Sequence, residues 1–285
     1  MLNKSYNQIY LIYYKSKIMK KLIIIALFLS GAVFAQKKEH KHSLQGVTKV
    51  DIESNTSVRV VASNTTQLII KQLDQNGKHN SNWNHNDHDK SKDDKKKGLR
   101  PIYPGGEDNT NGFGFSISKD GTTLFVRDLK SQFQRHGGLE INLPKTMNVS
   151  VDAGNLGSLK VNGFTGEVEA ETNVGSINMK NVTGPLTVHT SVGSINIDFD
   201  KVSQSSPITI SSSVSEIDVS IPGSTKANLE LRTQGAVYTN FDFPTPPKKG
   251  LKRVSPTKSI KASINGGGVK IKIKSSMGTI YLRKK

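Results

Sequence analysis

The segment NLGSLKVNGFTG (residues 155–166) recurs as NVGSINMKNVTG (173–184) and again as SVGSINIDFDKV (191–202), each copy 18 residues after the last. Looser copies follow at Ser213-Val214-Ser215-Glu216-Ile217, Gly235-Ala236-Val237, Gly267-Gly268-Val269 and Gly278-Thr279-Ile280. A recurrence of this length marks one supersecondary unit repeated and stacked. Within a unit, Val168 and Ala170 alternate with Glu167, Glu169 and Glu171, and Ile177 and Met179 alternate with Asn178 and Lys180. Alternation of that kind predicts two short strands per unit. Because strand side chains point alternately to opposite faces, Val168, Ala170, Val174, Ile177 and Met179 are expected inside, beneath Leu186, Val188, Val192, Ile195 and Ile197 of the next unit. Gly157, Gly175, Gly193, Gly235 and Gly278 fall at the turns, where glycine accepts a positive φ at little steric cost. The reading is an all-β, single-domain β-solenoid or stacked β-roll with repeats of about 18–22 residues. A leucine-rich repeat would need a leucine consensus and an asparagine ladder, which these units lack.

Working outward, residues 44–73 predict short strands around Val47, Val50 and Ile52, then Val58 and Val60, then Leu68 and Ile70. Alternation stops from Asp74 to Gly112, where the run KHNSNWNHNDHDKSKDDKKK carries almost no aliphatic residue. Such a segment cannot offset its ordering entropy by burial, so 74–112 reads as a mobile inserted loop. Strands resume at Phe113, Phe115 and Ile117, at Leu124 and Val126, and at Leu139, Ile141 and Leu143, and the repeat stack is assigned to 139–285.

At the N-terminus, Met19-Lys20-Lys21 precedes the apolar run Leu22 to Phe34, with small residues at Gly31, Ala32 and Ala35. This is the layout of a signal peptide over 19–35, cut after Ala35, with the mature domain at 36–285 and residues 1–18 an upstream extension of a start at Met19. The chain contains no cysteine, so stability must come from packing and backbone hydrogen bonds rather than disulfides. Its formal charge is +17, and removing Lys4, Lys15, Lys17, Lys20 and Lys21 with the leader leaves +12. A basic exported protein is attracted to anionic envelope surfaces, and no nucleic acid is expected as its partner.

The Val-Gly-Ser-Ile-Asn kernels, the Leu143-Pro144-Lys145 entry to the repeats, the stretch Gly98-Leu99-Arg100 through Glu107-Asp108-Asn109-Thr110, and the leader together resemble the putative-adhesin family of exported bacterial domains of unknown function. The resemblance covers about residues 44–285. It implies a β-solenoid-like domain in the periplasm, at the outer surface or secreted, and it carries no catalytic signature.

Several residues have the chemistry of sites. His79, His85 and His88 with Asp87 and Asp89 are metal-ligand types, but they lack the spacing of a zinc helix or a calcium loop and read as a solvated histidine-rich tract. Trp83 in the same run could stack on a sugar and reads as a loop anchor. His189 alternates outward from Val188. The repeat register places Lys160, Asn178, Asn196 and Asp218 in one outward column and Asn162, Lys180, Asp198 and Ser220 in the next, bringing Asp198 toward Glu216 and Asp218. Carboxylates so grouped could act as acid and base on a polysaccharide, although Lys180 is placed to neutralise Asp198. Lys270, Lys272 and Lys274 lie on one strand face, which reads as the last coil, protected by charge from end-to-end stacking. With Lys284 and Lys285 they are also a candidate contact for an anionic surface. No Gly-x-Ser-x-Gly elbow or phosphate loop is present.

These features favour a non-enzymatic, exported envelope or surface interaction protein without a cofactor, its partner an envelope polysaccharide, a lipid or another surface protein. The alternatives are a carbohydrate-active enzyme on a β-helix scaffold and a periplasmic metal-binding protein.

Overall fold

The computed structural model describes residues 39–73, 98–99, 102–130, 137–242 and 258–285. The leader with Met19 and Ala35, and the tract holding His79, Trp83, His85, Asp87, His88 and Asp89, lie outside the described residues.

The chain forms β1 (Glu39–Ser43), β2 (Lys49–Glu53), β3 (Val58–Ser63), β4 (Gln67–Gln72), β5 (Phe115–Asp120), β6 (Thr123–Asp128) and β7 (Leu139–Pro144) in its first half. The repeats then supply β8 (Asn148–Asp152), β9 (Leu159–Asn162), β10 (Val168–Val174), β11 (Ile177–Val182), β12 (Leu186–Val192), β13 (Ile195–Phe199), β14 (Ile208–Ser212) and β15 (Ile217–Ile221). Last come β16 (Ala227–Thr233), β17 (Val237–Thr239), β18 (Lys258–Ile264), β19 (Val269–Ser275) and β20 (Ile280–Lys284). They form two sheets. The first runs β1-β4-β7-β3-β9-β11-β13-β15-β20-β17, and the second β18-β16-β19-β14-β12-β10-β8-β2-β6-β5. Each coil gives one strand to the second sheet and the next to the first, as β10 and β11 do, and successive coils pair in parallel with equivalent residues in register. This is the all-β stacked architecture that the 18-residue recurrence predicts.

Between the sheets, Ile177, Ile195, Ile217 and Ile280 stand above one another in register, all fully buried. Phe164, Phe199 and Phe115 are also fully buried. Each residue is covered by its counterpart one coil away, so one apolar core runs the length of the stack. Parallel pairing satisfies the backbone donors and acceptors of the interior strands.

Four features depart from the sequence reading. The stack is not confined to residues 139–285: the N-terminal strands β2 and β3 form a coil between β8/β9 and β6/β7, so it starts well before residue 139. Chain order is also not stack order at the C-terminal end. β19 pairs with β14 on one side and β16 on the other, so Val269–Lys274 is an interior strand and not the last coil. The antiparallel strand β18 covers β16 instead, as β5 covers β6 and β4 covers β7 at the opposite end. Repeats identical in spacing cannot reveal this order, because either neighbour offers the same apolar partner.

Third, Val174 and Val192 are exposed (42% and 44%) rather than inside. The interior ends two residues earlier, at Thr172 and Thr190, whose buried hydroxyls donate to the carbonyls of Gly157 and Gly175 at 2.6 and 3.1 Å. Those hydrogen bonds close the corner, and the chain beyond them swings outward. The result is an outer ridge of Leu156, Val174, Val192, Val214 and Met277. Fourth, the corner glycines are required mainly by close approach and not by φ. Of the five, only Gly193 has positive φ, at 146°. A Cβ on Gly175 would overlap the carbonyl oxygen of Gly157, one on Gly193 that of Gly175, and one on Gly278 that of Ser215. Neighbouring backbones meet too closely there for any side chain.

Candidate interaction faces

The outer face of the second sheet holds Lys270, Lys272 and Lys274, projecting from β19 between buried Val269, Ile271 and Ile273. Pairing with β16 sets Asn228, Glu230 and Arg232 beside them, and β18 adds Lys261 beyond Glu230. Five cations therefore surround one carboxylate. Glu230 is 3.3 Å from Lys270, and this hydrogen-bonded cation holds its carboxyl below the usual glutamate range. Lys284 and Lys285 do not join the group, because β20 belongs to the other sheet. Lys285 is ion-paired with Asp198, and the Lys284 backbone bonds to Asn240. Arg232 and Lys261 take their place. The sequence hid them because β16 and β18 flank β19 only through the crossed chain order.

The same face changes sign toward the other end. β10 presents Glu169 and Glu171, with Glu167 one residue before it, β8 presents Asp152, and β2 presents Asp51 and Glu53. Lys49 and Arg127 offset part of this charge. Lys49 donates to Glu169 at 2.8 Å, which holds the Glu169 carboxyl below its ordinary range and raises the lysine. Arg127 grips Glu53 at 2.7 Å. Asp51 is pushed upward by burial. Between the two ends, β12 and β14 present the polar residues Thr187, His189, Thr209 and Ser211, with His189 Nδ1 2.9 Å from Ser211 Oγ. His189 thus faces outward, as its alternation predicts.

On the first sheet the two predicted columns are in register: Lys160, Asn178, Asn196 and Asp218, then Asn162, Lys180, Asp198 and Ser220. Their carboxylates are already engaged. Arg283 clasps Asp218 with three hydrogen bonds of 2.7–3.0 Å. Asp198 is met by Lys285 and not by Lys180, the partner expected from the repeats. Asn196 donates to Asn178 at 3.2 Å, continuing the column as an amide ladder. Arg283 also lies over the Tyr281 ring, 5.3 Å from its centre, and Tyr281 stacks on Tyr238. Among the described residues, no group of three or more histidine or acidic side chains is assembled around a common point for a metal ion.

A cleft of about 370 Å³ opens at the acidic end, between Pro104-Gly105 and the corner at Asn55 and Gly154. Its buried acid, Asp128, accepts from Ser54 Oγ at 3.2 Å and from the Lys130 amide at 3.0 Å. Nearby, Asp108 and Asn109 fasten the segment before β5: Asn109 exchanges two hydrogen bonds with the Ile117 backbone, and Asp108 accepts from the amides of Thr110 and Gly114.

With this geometry in view, the family model described as Toastrack DUF4097 matches residues 139–283, about half of the chain. The chain belongs to the Toastrack DUF4097 family. The matched Toastrack segment contains the repeats, the crossed final coils and the cationic strand β19. A solved structure from Clostridium sporogenes ATCC 15579, described as a putative cell adhesion protein, is similar at 13% identity, over 87% of this Toastrack chain and 99% of that one, with a TM-score of 0.40. Among curated proteins, none matches the sequence.

Proposed function

We propose that this Toastrack protein is an exported, non-enzymatic interaction module of the cell envelope or cell surface, and that it engages anionic envelope polymers through the cationic end of its second sheet. The observation that carries the reading is the group of Lys261, Lys270, Lys272, Lys274 and Arg232 around the single acid Glu230. Their spacing is fixed by hydrogen-bonded strands about 4.8 Å apart, β16 and β19 parallel and β18 antiparallel, so the charges form a rigid grid. A grid of this kind favours a polyanion with repeating charge, whether an acidic polysaccharide or the headgroups of an anionic bilayer. The signal-peptide layout of 19–35 supports an extracytoplasmic setting.

Binding is measured at low protein concentration on an acidic polysaccharide and, separately, on vesicles with and without anionic lipid. The expected result is retention that falls steeply between low and high salt and is lost in K270Q/K272Q/K274Q. Retention on only one of the two surfaces identifies the polymer. Affinity insensitive to salt, or unchanged in the triple variant, rejects the reading. Release of sugar products from the polysaccharide would reject the non-enzymatic part.

A further inference from the structure

The two charged ends of the second sheet are complementary to each other, and they sit on one face in matching rows. The registers from β10 through β12 and β14 to β19 run without a shift. Glu169, Thr187, Thr209 and Lys272 therefore share one row, and Glu171, His189, Ser211 and Lys274 the next. One residue earlier on each strand's outer side, Glu167 and Lys270 share a third.

We propose that two copies of this chain pack the outer faces of their second sheets together about a two-fold axis that runs along the strands between β12 and β14. Such a rotation turns one face onto the other, keeps strand direction and exchanges the ends. Lys270, Lys272 and Lys274 then lie over Glu167, Glu169 and Glu171 of the partner subunit. β16 lies over the partner's β8, setting Arg232 against Asp152 of the partner subunit. β18 lies over the partner's β2, setting Lys261 against Asp51 of the partner subunit. Every cation of the basic end meets a carboxylate. The remaining charges meet neutral groups: Glu230 falls over Ser150, Glu53 over Ser259 and Lys49 over Ser263, each the partner's residue. The polar side chains of Thr187, Thr209, His189 and Ser211 occupy the centre.

The position of the axis is selective. Moved by one strand to lie between β10 and β12, it leaves Lys272 and Lys274 over the partner's Asp51 and the partner's Glu53 but sets Lys270 against the partner's Lys49 and Arg232 against the partner's Arg127, two cation pairs that the first position avoids. Like charges so juxtaposed oppose that register. The overlap from β18 to β2 spans eight strands, about 34 Å by about 17 Å, or a flat footprint of roughly 600 Å² on each copy. That is at the small end of specific interfaces, and its polar character makes it salt-sensitive and reversible. Dimerisation covers the basic strand β19, so polyanion binding and self-association compete for one surface.

The test uses the purified protein in sedimentation velocity at roughly 100 µM, a concentration that populates a micromolar dimer. Low salt should give dimer and high salt monomer. E167K/E169K/E171K and K270E/K272E/K274E should each be monomeric in low salt. Their equimolar mixture should return to dimer, because each variant then offers the charge that the other lacks. Melting curves establish that both are folded, and the single changes E171K and K274E give the same pattern with smaller shifts. A wild-type protein monomeric in low salt, variants that dimerise as well as wild type, or a mixture that stays monomeric would each overturn the proposal. The polyanion reading is judged separately: E167K/E169K/E171K loses the dimer yet keeps or strengthens binding to acidic polysaccharide.

Discussion

The inside and the outside of each coil differ in what they tolerate. Inside, Ile177, Ile195, Ile217 and Ile280 repeat one residue through four adjacent coils, each packed on its own kind. Outside, the row through Lys160, Asn178, Asn196, Asp218, Tyr281 and Tyr238 passes from cation to amides to carboxylate to aromatic rings. The pleat turns successive residues of one strand to these two environments. The scaffold is thus specified by every second residue, and the others are left to carry charge, amides or aromatic rings. Function in such a stack is to be sought in the pattern across strands and not within any single repeat.

Adjacent positions on one coil can break this contrast. Ile195→Asp buries a charge without a partner in the ladder and should cost about 4 kcal/mol or more, read as collapse of the thermal transition. Thr190→Val keeps shape and burial but leaves the Gly175 carbonyl without its hydroxyl donor, an expected loss of about 1–3 kcal/mol in denaturant unfolding. Asn196→Asp, next to Ile195 but on the outer face, should change stability by less than about 0.5 kcal/mol. If Ile195→Asp and Asn196→Asp lower the melting temperature alike, the division into inner and outer positions is wrong.

Most of the scaffold was legible in the sequence. The 18-residue spacing, the alternation of Ile177, Met179 and their counterparts, and the outward columns from Lys160 and Asn162 all follow from a period of two within a repeated unit. Three things were not legible, each for a physical reason. Val174 obeys the alternation and still lies outside, because the hydroxyl of Thr172 seals the corner before it. Chain order fails to give stack order, since any coil offers its neighbours the same apolar wall. From that follows the third. Arg232 and Lys261 were not recognised as companions of Lys272, nor Lys285 as the partner of Asp198, because those neighbours come from strands that cross in sequence. The acidic half of the second sheet was visible residue by residue in Glu167, Glu169 and Glu171. Its opposition to the basic half appears only once the strands are laid side by side.

The order of the coils is the claim on which the faces depend, and a spin-label ruler along one outer row tests it directly. Labels at Lys160 and Tyr281 are separated by four strand spacings, about 19 Å between Cα atoms, and labels at Lys160 and Tyr238 by five, about 24 Å. Pulsed electron–electron resonance should therefore find Tyr281 nearer to Lys160 than Tyr238 is, although Tyr238 precedes it by 43 residues in the chain. The reverse order of distances would contradict the crossed stack and the charged faces built on it.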